Sequence, residues 1–86
     1  MRDPVFVPTR LTNAKIYSCL RDERLLVGLT QRALATDVGV SRQTIIAIEH
    51  GNYIPSLWLA LQIAKILCKP VEVIFNLERK CPLRFV

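Results

Sequence analysis

The stretch from Thr30 to Gly51, T-Q-R-A-L-A-T-D-V-G-V-S-R-Q-T-I-I-A-I-E-H-G, leaves this chain few ways to fold. It holds two short helix patterns, each opened by a hydroxyl residue and closed by glycine. Thr30 and Ser41 stand at the N-cap positions, where a side-chain oxygen accepts a hydrogen bond from an orphan backbone N–H of the first turn. Gly39 and Gly51 stand where a chain leaving a helix often takes positive φ, which glycine does without steric cost. Only Val38, Gly39, Val40 and Ser41 separate the two patterns. A link that short makes the helices cross at a large angle instead of lying antiparallel. The apolar positions fit, with Leu34, Ala35 and Val38 on one face of the first helix and Ile45 and Ile48 on one face of the second. Ala35 is small enough to let the second helix approach closely.

Four blocks stand in order along the chain: L-T-Q at Leu29–Gln31, G-V-S-R-Q-T-I at Gly39–Ile45, I-E-x-G at Ile48–Gly51 and P-S-L-x-L-A-L-x-I-A-K at Pro55–Lys65. With them the segment resembles the helix-turn-helix of the Cro/C1-type (Xre-like) transcriptional regulators, with a weaker tail to Glu78. A bare helix-turn-helix pattern is a weak signal, and several blocks in family order are a strong one. The resemblance implies an all-α, five-helix, lambda-repressor-like DNA-binding domain. It divides the chain into an N-terminal arm at 1–12, a helix-turn-helix domain at 13–78 and a C-terminal extension at 79–86.

Size and composition set the outer limits. At 86 residues the chain is one domain with a small core. Its net charge of +5 suits a polyanionic partner, although charge alone is weak evidence. Cys19, Cys68 and Cys81 are odd in number, with no C-x-x-C pair and no histidine cluster. That pattern argues against a disulfide framework or a zinc site and fits a reducing cytosol, so the expected location is cytoplasmic. No signal peptide or membrane span is visible, and no membrane partner is expected.

Along the chain, Val5-Phe6-Val7 lies between Pro4 and Pro8 and reads as an extended arm. A first helix is predicted from about Asn13 to Val27, with Ile16, Leu20 and Leu26 or Val27 facing inward. Leu25-Leu26-Val27 adds nearly one helical turn to the family pattern. After the loop Asn52–Pro55, Ser56 caps a fourth helix whose core stripe is predicted as Leu57, Ala60, Leu61, Ala64 and Leu67. Its other side carries Trp58, Leu59, Ile63 and Ile66, so the helix must be covered twice. Trp58, Ile63 and Ile66 are therefore candidates for a dimer interface, a terminal arm being the other cover for Trp58. Pro70 opens a fifth helix over Val71–Leu77, with Val71, Ile74 and Phe75 inward. Cys68-Lys69 replaces the family's usual Gly-Val, which puts the tight helix end there in question. Leu83–Val86 again favours extended structure, and the two arms can pair as a small β-sheet.

In this architecture the second helix of the motif enters the major groove and the first crosses the backbone. The resemblance places Arg42, Gln43 and, one turn later, Ala47 along the base-facing side, and Thr44 is a further candidate beside them. Arginine can fork onto guanine, glutamine can read adenine bidentately, and alanine can touch a thymine methyl. Arg42 can instead bind phosphate, and Thr44 reaches either. Gln31 is the residue that clamps a phosphate in the family. Arg32, Ser41, Asn52 and Tyr53 flank the same face as candidate phosphate contacts, with Ser41 first of all an N-cap. His50 is either another contact or a solvated helix end. Glu49 is read as structural, paired with an arginine. One histidine, no nucleophile–base pair, no phosphate loop and no metal-ligand spacing give no basis for catalysis, a cofactor or a metal.

These features point to a sequence-specific regulator of double-stranded DNA, a repressor acting as a homodimer. Two other readings stay open: the antitoxin of a toxin–antitoxin pair, with a toxin as its protein partner, and a restriction-modification controller.

Overall fold

The structure is a computed structural model, and it describes residues 16–77 together with Cys81. The elements run in the order β1 (Tyr17–Ser18), α1 (Leu20–Leu26), α2 (Gln31–Val38), α3 (Arg42–Glu49), α4 (Leu57–Leu67), α5 (Val71–Ile74) and β2 (Phe75–Asn76). This is the five-helix domain expected, with one small sheet beside it.

Helix starts follow the capping chemistry. Thr30 Oγ1 accepts from Ala33 N–H, Ser41 Oγ from Thr44 N–H and Ser56 Oγ from Leu59 N–H, each from an extended backbone. The ends of α1–α4 share one closure. Leu29, Val40, Asn52 and Lys69 each donate N–H to the carbonyl five residues back, at 2.9–3.2 Å. The residue before each of them has positive φ. Glycine fills that position at three of the four ends. At the fourth, Cys68 itself adopts the left-handed conformation (φ 57°, ψ 43°), so the tight end survives without its glycine. The turn delivers Lys69, whose Nζ lies 3.1 Å from the fully buried Glu23 carboxylate on α1.

One apolar cluster joins α1–α5. Leu20, Leu34, Ala35, Val38, Ile45, Ile48, Ile63, Leu67 and Ile74 are buried in it, with Val71 and Phe75 packed at its edge. The inward faces expected of α2, α3 and α5 are those observed. The last helix is shorter than predicted, because Phe75–Asn76 leaves it to pair with β1.

Two expectations need correction in register. The chain at Ile16–Cys19 is not helical: Tyr17 pairs with Asn76 and Ser18 with Phe75 in an antiparallel ladder, and Cys19 N–H continues it to the Ile74 carbonyl at 2.7 Å. Isoleucine and tyrosine favour such a ladder once a partner strand exists, and α1 starts only at Leu20. Leu26 and Val27 are exposed at the end of α1, so the extra turn projects to the surface, and Leu20 is fully buried. On α4 the buried stripe is Leu59, Ala60, Ile63, Ala64 and Leu67, while Leu57 and Leu61 are exposed. The core face is turned by roughly 60° from the predicted one, at 100° per residue.

A third correction concerns the cysteines. Cys19 and Cys81 form a disulfide across a sequence separation of 62, with Cα atoms 5.1 Å apart. Cys68 is free and exposed. An odd count without local spacing says nothing about two cysteines that the fold brings together. The sheet expected between the arms involves Val5–Val7 and Leu83–Val86, which lie outside the described residues; the observed sheet is built from β1 and β2. No helix among the described residues is long and apolar enough to cross a membrane.

Candidate nucleic-acid interface

The three-residue link Gly39–Ser41 sets α3 against α2. Ile45 and Ile48 are then buried, while Arg42 and Gln43 are exposed at the front of α3 and Thr44, Ile46 and Ala47 are partly exposed beside them. The polar front of the helix is thus a continuous outward strip. The hydroxyls at its start are occupied locally: Ser41 Oγ takes the Thr44 N–H at 3.1 Å and lies 3.0 Å from Thr44 Oγ1. Arg32 stands exposed on α2, and His50, Asn52 and Tyr53 are exposed in the turn after α3.

The back of α3 is anchored by charge. Glu49 lies in its last turn with a side chain only 1% exposed. Arg24 Nε donates to Glu49 Oε2 at 2.6 Å, Arg24 Nη2 to Oε1 at 3.3 Å, and Arg24 Nη1 to the Leu29 carbonyl at 2.8 Å. Gln31 Nε2 donates to the same Oε1 at 3.0 Å. Glu49 is therefore the structural acid expected from the sequence, with Arg24 as its arginine. The network ties the middle of α1, the first residue of α2 and the last of α3 together.

Next to that network lies an open depression of about 730 Å³, lined by Arg21, Arg24, Thr30, Gln31, Arg32 and Arg42. Arg24 is neutralised by Glu49. Among the described residues, Arg21, Arg32 and Arg42 have no acidic partner. Three guanidiniums around the opening turn of α2 suit phosphate oxygens, which arginine binds with paired N–H donors. Arg21 is absent from the sequence reading. Its signal, R-D-E-R at Arg21–Arg24, was visible, and only the start of α1 at Leu20 turns Arg21 outward and Arg24 inward.

The candidate dimer residues separate. Ile63 is fully buried in the domain's own core and is not available to a second subunit, since the rotation of α4 carries it inward. Ile66 is half-buried against that core. Trp58 remains 61% exposed, and Ile54, Leu57 and Leu61 are exposed with it.

A short-linked helix pair with a polar, exposed second helix and a basic depression at the head of the first defines a helix-turn-helix domain. A helix-turn-helix family profile matches residues 20–79. An uncharacterised HTH-type transcriptional regulator of Methanocaldococcus jannaschii is 56% identical over 59 residues, covering 69% of this chain and 89% of that protein. The uncharacterised HTH-type transcriptional regulator YgzD of Bacillus subtilis is 44% identical over 61 residues, covering 71% and 92%. Among solved structures, the restriction-modification controller protein C.AhdI of Aeromonas hydrophila is similar, with a TM-score of 0.58 and 32% identity over 62% of this chain and 80% of that one. The chain belongs to the Cro/C1-type helix-turn-helix family.

Proposed function

We propose that the protein is a sequence-specific transcriptional regulator, acting as a repressor, whose homodimer inserts α3 into the major groove of double-stranded DNA. The observation that carries this is the exposed front of α3, Arg42 and Gln43, beside the basic depression of Arg21, Arg32 and Gln31. Bases are read from the first feature and phosphates are held by the second, the division of labour that protein–DNA contacts follow. Thr44 and Ala47 extend the base-facing strip, and Ser41, Asn52 and Tyr53 border it toward the backbone. One helix reads few base pairs, so a second copy on a palindromic site supplies the rest. The exposed apolar run Ile54, Leu57, Trp58 and Leu61 is the surface for that copy. This reading places the protein with its DNA in the cytoplasm, and the Cys19–Cys81 bridge removes the cysteine argument for that location.

Similarity to C.AhdI favours one second reading, a restriction-modification controller, which uses the same DNA-binding surface. The relatives lend no support to an antitoxin with a toxin partner. Selection from a random duplex pool tests the proposal. Gln43→Ala should cost about 1–3 kcal/mol on the selected site and little on random DNA, while Gln31→Ala should weaken all sequences alike. A wild-type protein with no preference among duplexes at physiological salt would end the regulator reading.

A further inference from the structure

Glu49 is an acid at the pole of the domain that faces polyanionic DNA in the proposal above, and on which this inference rests. We propose that Glu49 is a positioning residue for backbone recognition: its buried carboxylate fixes the amide of Gln31 with the nitrogen end presented to a DNA phosphate.

A glutamine amide has a donating end and an accepting end, and only the donating end attracts a phosphate oxygen. A side chain left to rotate would offer either end and would lose rotamer freedom on binding. An ionised carboxylate accepts hydrogen bonds and donates none, so Glu49 Oε1 can hold only Nε2. That bond, 3.0 Å long, uses one of the two Nε2 hydrogens and leaves the second for a phosphate. Gln31 is half-buried at the first residue of α2 and lines the arginine depression, the place where that second hydrogen is wanted.

The carboxylate is itself held. Two donors from Arg24 reach it at 2.6 and 3.3 Å, and the third arm of the guanidinium grips the Leu29 carbonyl at 2.8 Å, two residues before Gln31. Arg24 also cancels the charge that would otherwise repel a phosphate. The path Leu29–Arg24–Glu49–Gln31 thus joins the phosphate-holding end of α2 to the last residue of the reading helix. It fixes the distance between the backbone clamp and the base-reading strip.

The test uses the full chain, labelled with 15N, and two duplexes, one selected from a random pool and one of random sequence. In the free wild type, one Gln31 side-chain amide proton should be displaced from the position seen for the exposed Gln43, because it is bonded to a charged acceptor. Arg24→Met/Glu49→Met removes the acceptor while keeping the buried pair apolar, and it should return Gln31 to the Gln43-like position. The double variant should weaken both duplexes by roughly five- to tenfold, the loss of one phosphate hydrogen bond, and Gln31→Ala should do the same. Adding Gln31→Ala to the double variant should weaken binding no further. Losses that multiply in the triple variant, or a Gln31 signal indifferent to the double variant, would overturn the positioning role while leaving DNA binding intact. If the wild type binds neither duplex, the DNA reading falls and this inference with it. If the double variant does not fold, Glu49→Gln takes its place: it keeps an acceptor without charge, and the same Gln31 proton should move in the same direction by less.

Discussion

Reduction of the Cys19–Cys81 disulfide is the perturbation with the clearest arithmetic. The bridge closes a loop over a sequence separation of 62. In the chain-entropy description a closed loop of about that length removes roughly 14 cal/mol/K from the unfolded ensemble, or about 4 kcal/mol at 25 °C. A domain of this size holds about 4–13 kcal/mol in total, at 0.05–0.15 kcal/mol per residue. The bridge therefore supplies at least about a third of the stability. Its anchor is well placed to count, because Cys19 is buried at the junction of β1 and α1 and its N–H is bonded to Ile74. Urea unfolding followed by circular dichroism, with and without a thiol reductant, reads the effect. With a urea m-value of about 1–2 kcal/mol/M, the midpoint should fall by roughly 2–4 M. Cys19→Ser/Cys81→Ser without reductant should match the reduced wild type. If oxidised and reduced protein differ by less than about 1 kcal/mol, the bridge is not constraining the unfolded chain and the reasoning is wrong.

Three further outcomes follow from single side chains. Cys68→Gly should stabilise the domain by about 0.5–1 kcal/mol, because a left-handed non-glycine residue is strained and glycine gives back only part of the gain as entropy; a lower urea midpoint would contradict this. Arg24→Met should destabilise by about 3–5 kcal/mol by leaving the buried Glu49 carboxylate without its cation, and adding Glu49→Met should restore most of the loss. Thermal unfolding of both variants checks it, and a double variant as unstable as the single would show that the pair is not the cause. Trp58→Lys should convert a dimer to monomer in analytical ultracentrifugation with little change in melting temperature; a dimer of undiminished affinity would remove α4 from the interface.

What was legible in the sequence was local. Thr30, Ser41 and Ser56 are caps whose acceptor lies within three residues of its donor, and Gly39 and Gly51 turn the chain within one closing motif, so no distant partner is needed to read them. The alternation of α3 was legible for the same reason, since Ile45 and Ile48 against Arg42 and Gln43 define two faces unambiguously. What failed depended on partners far along the chain. Ile16–Cys19 has residues compatible with helix or strand, and only β2, nearly sixty residues later, decides for strand. Cys81 meets Cys19 for the same reason. Arg24 and Arg21 belong to one short charged run, and which of them turns inward is set by where α1 begins. At Cys68 the residue type disfavours the left-handed turn, and the fold adopts it nonetheless, with Lys69 placed beside Glu23 directly after it.

The misread face of α4 bears most on assembly. A helix apolar on nearly every side has no periodicity to choose between stripes: Ala60, Ala64 and Leu67 belong to both the predicted core face and the observed one. Packing against α2 and α5 chooses Leu59 and Ile63 as the remaining members, and Leu57 and Leu61 turn outward as a result. Ile63 is lost to the candidate dimer surface, and two leucines are gained beside Trp58. Leu57 and Leu61 lie one turn apart, with Trp58 next to them and Ile54 just before the helix, so the gain forms one stripe where scattered residues would not. A stripe of that size in water favours association. Its place, at the start of α4 and in the link from α3, puts it next to the end of α3. In the proposed dimer, a second copy bound there would hold the two α3 helices at a fixed separation, which paired half-sites about one helical turn apart call for.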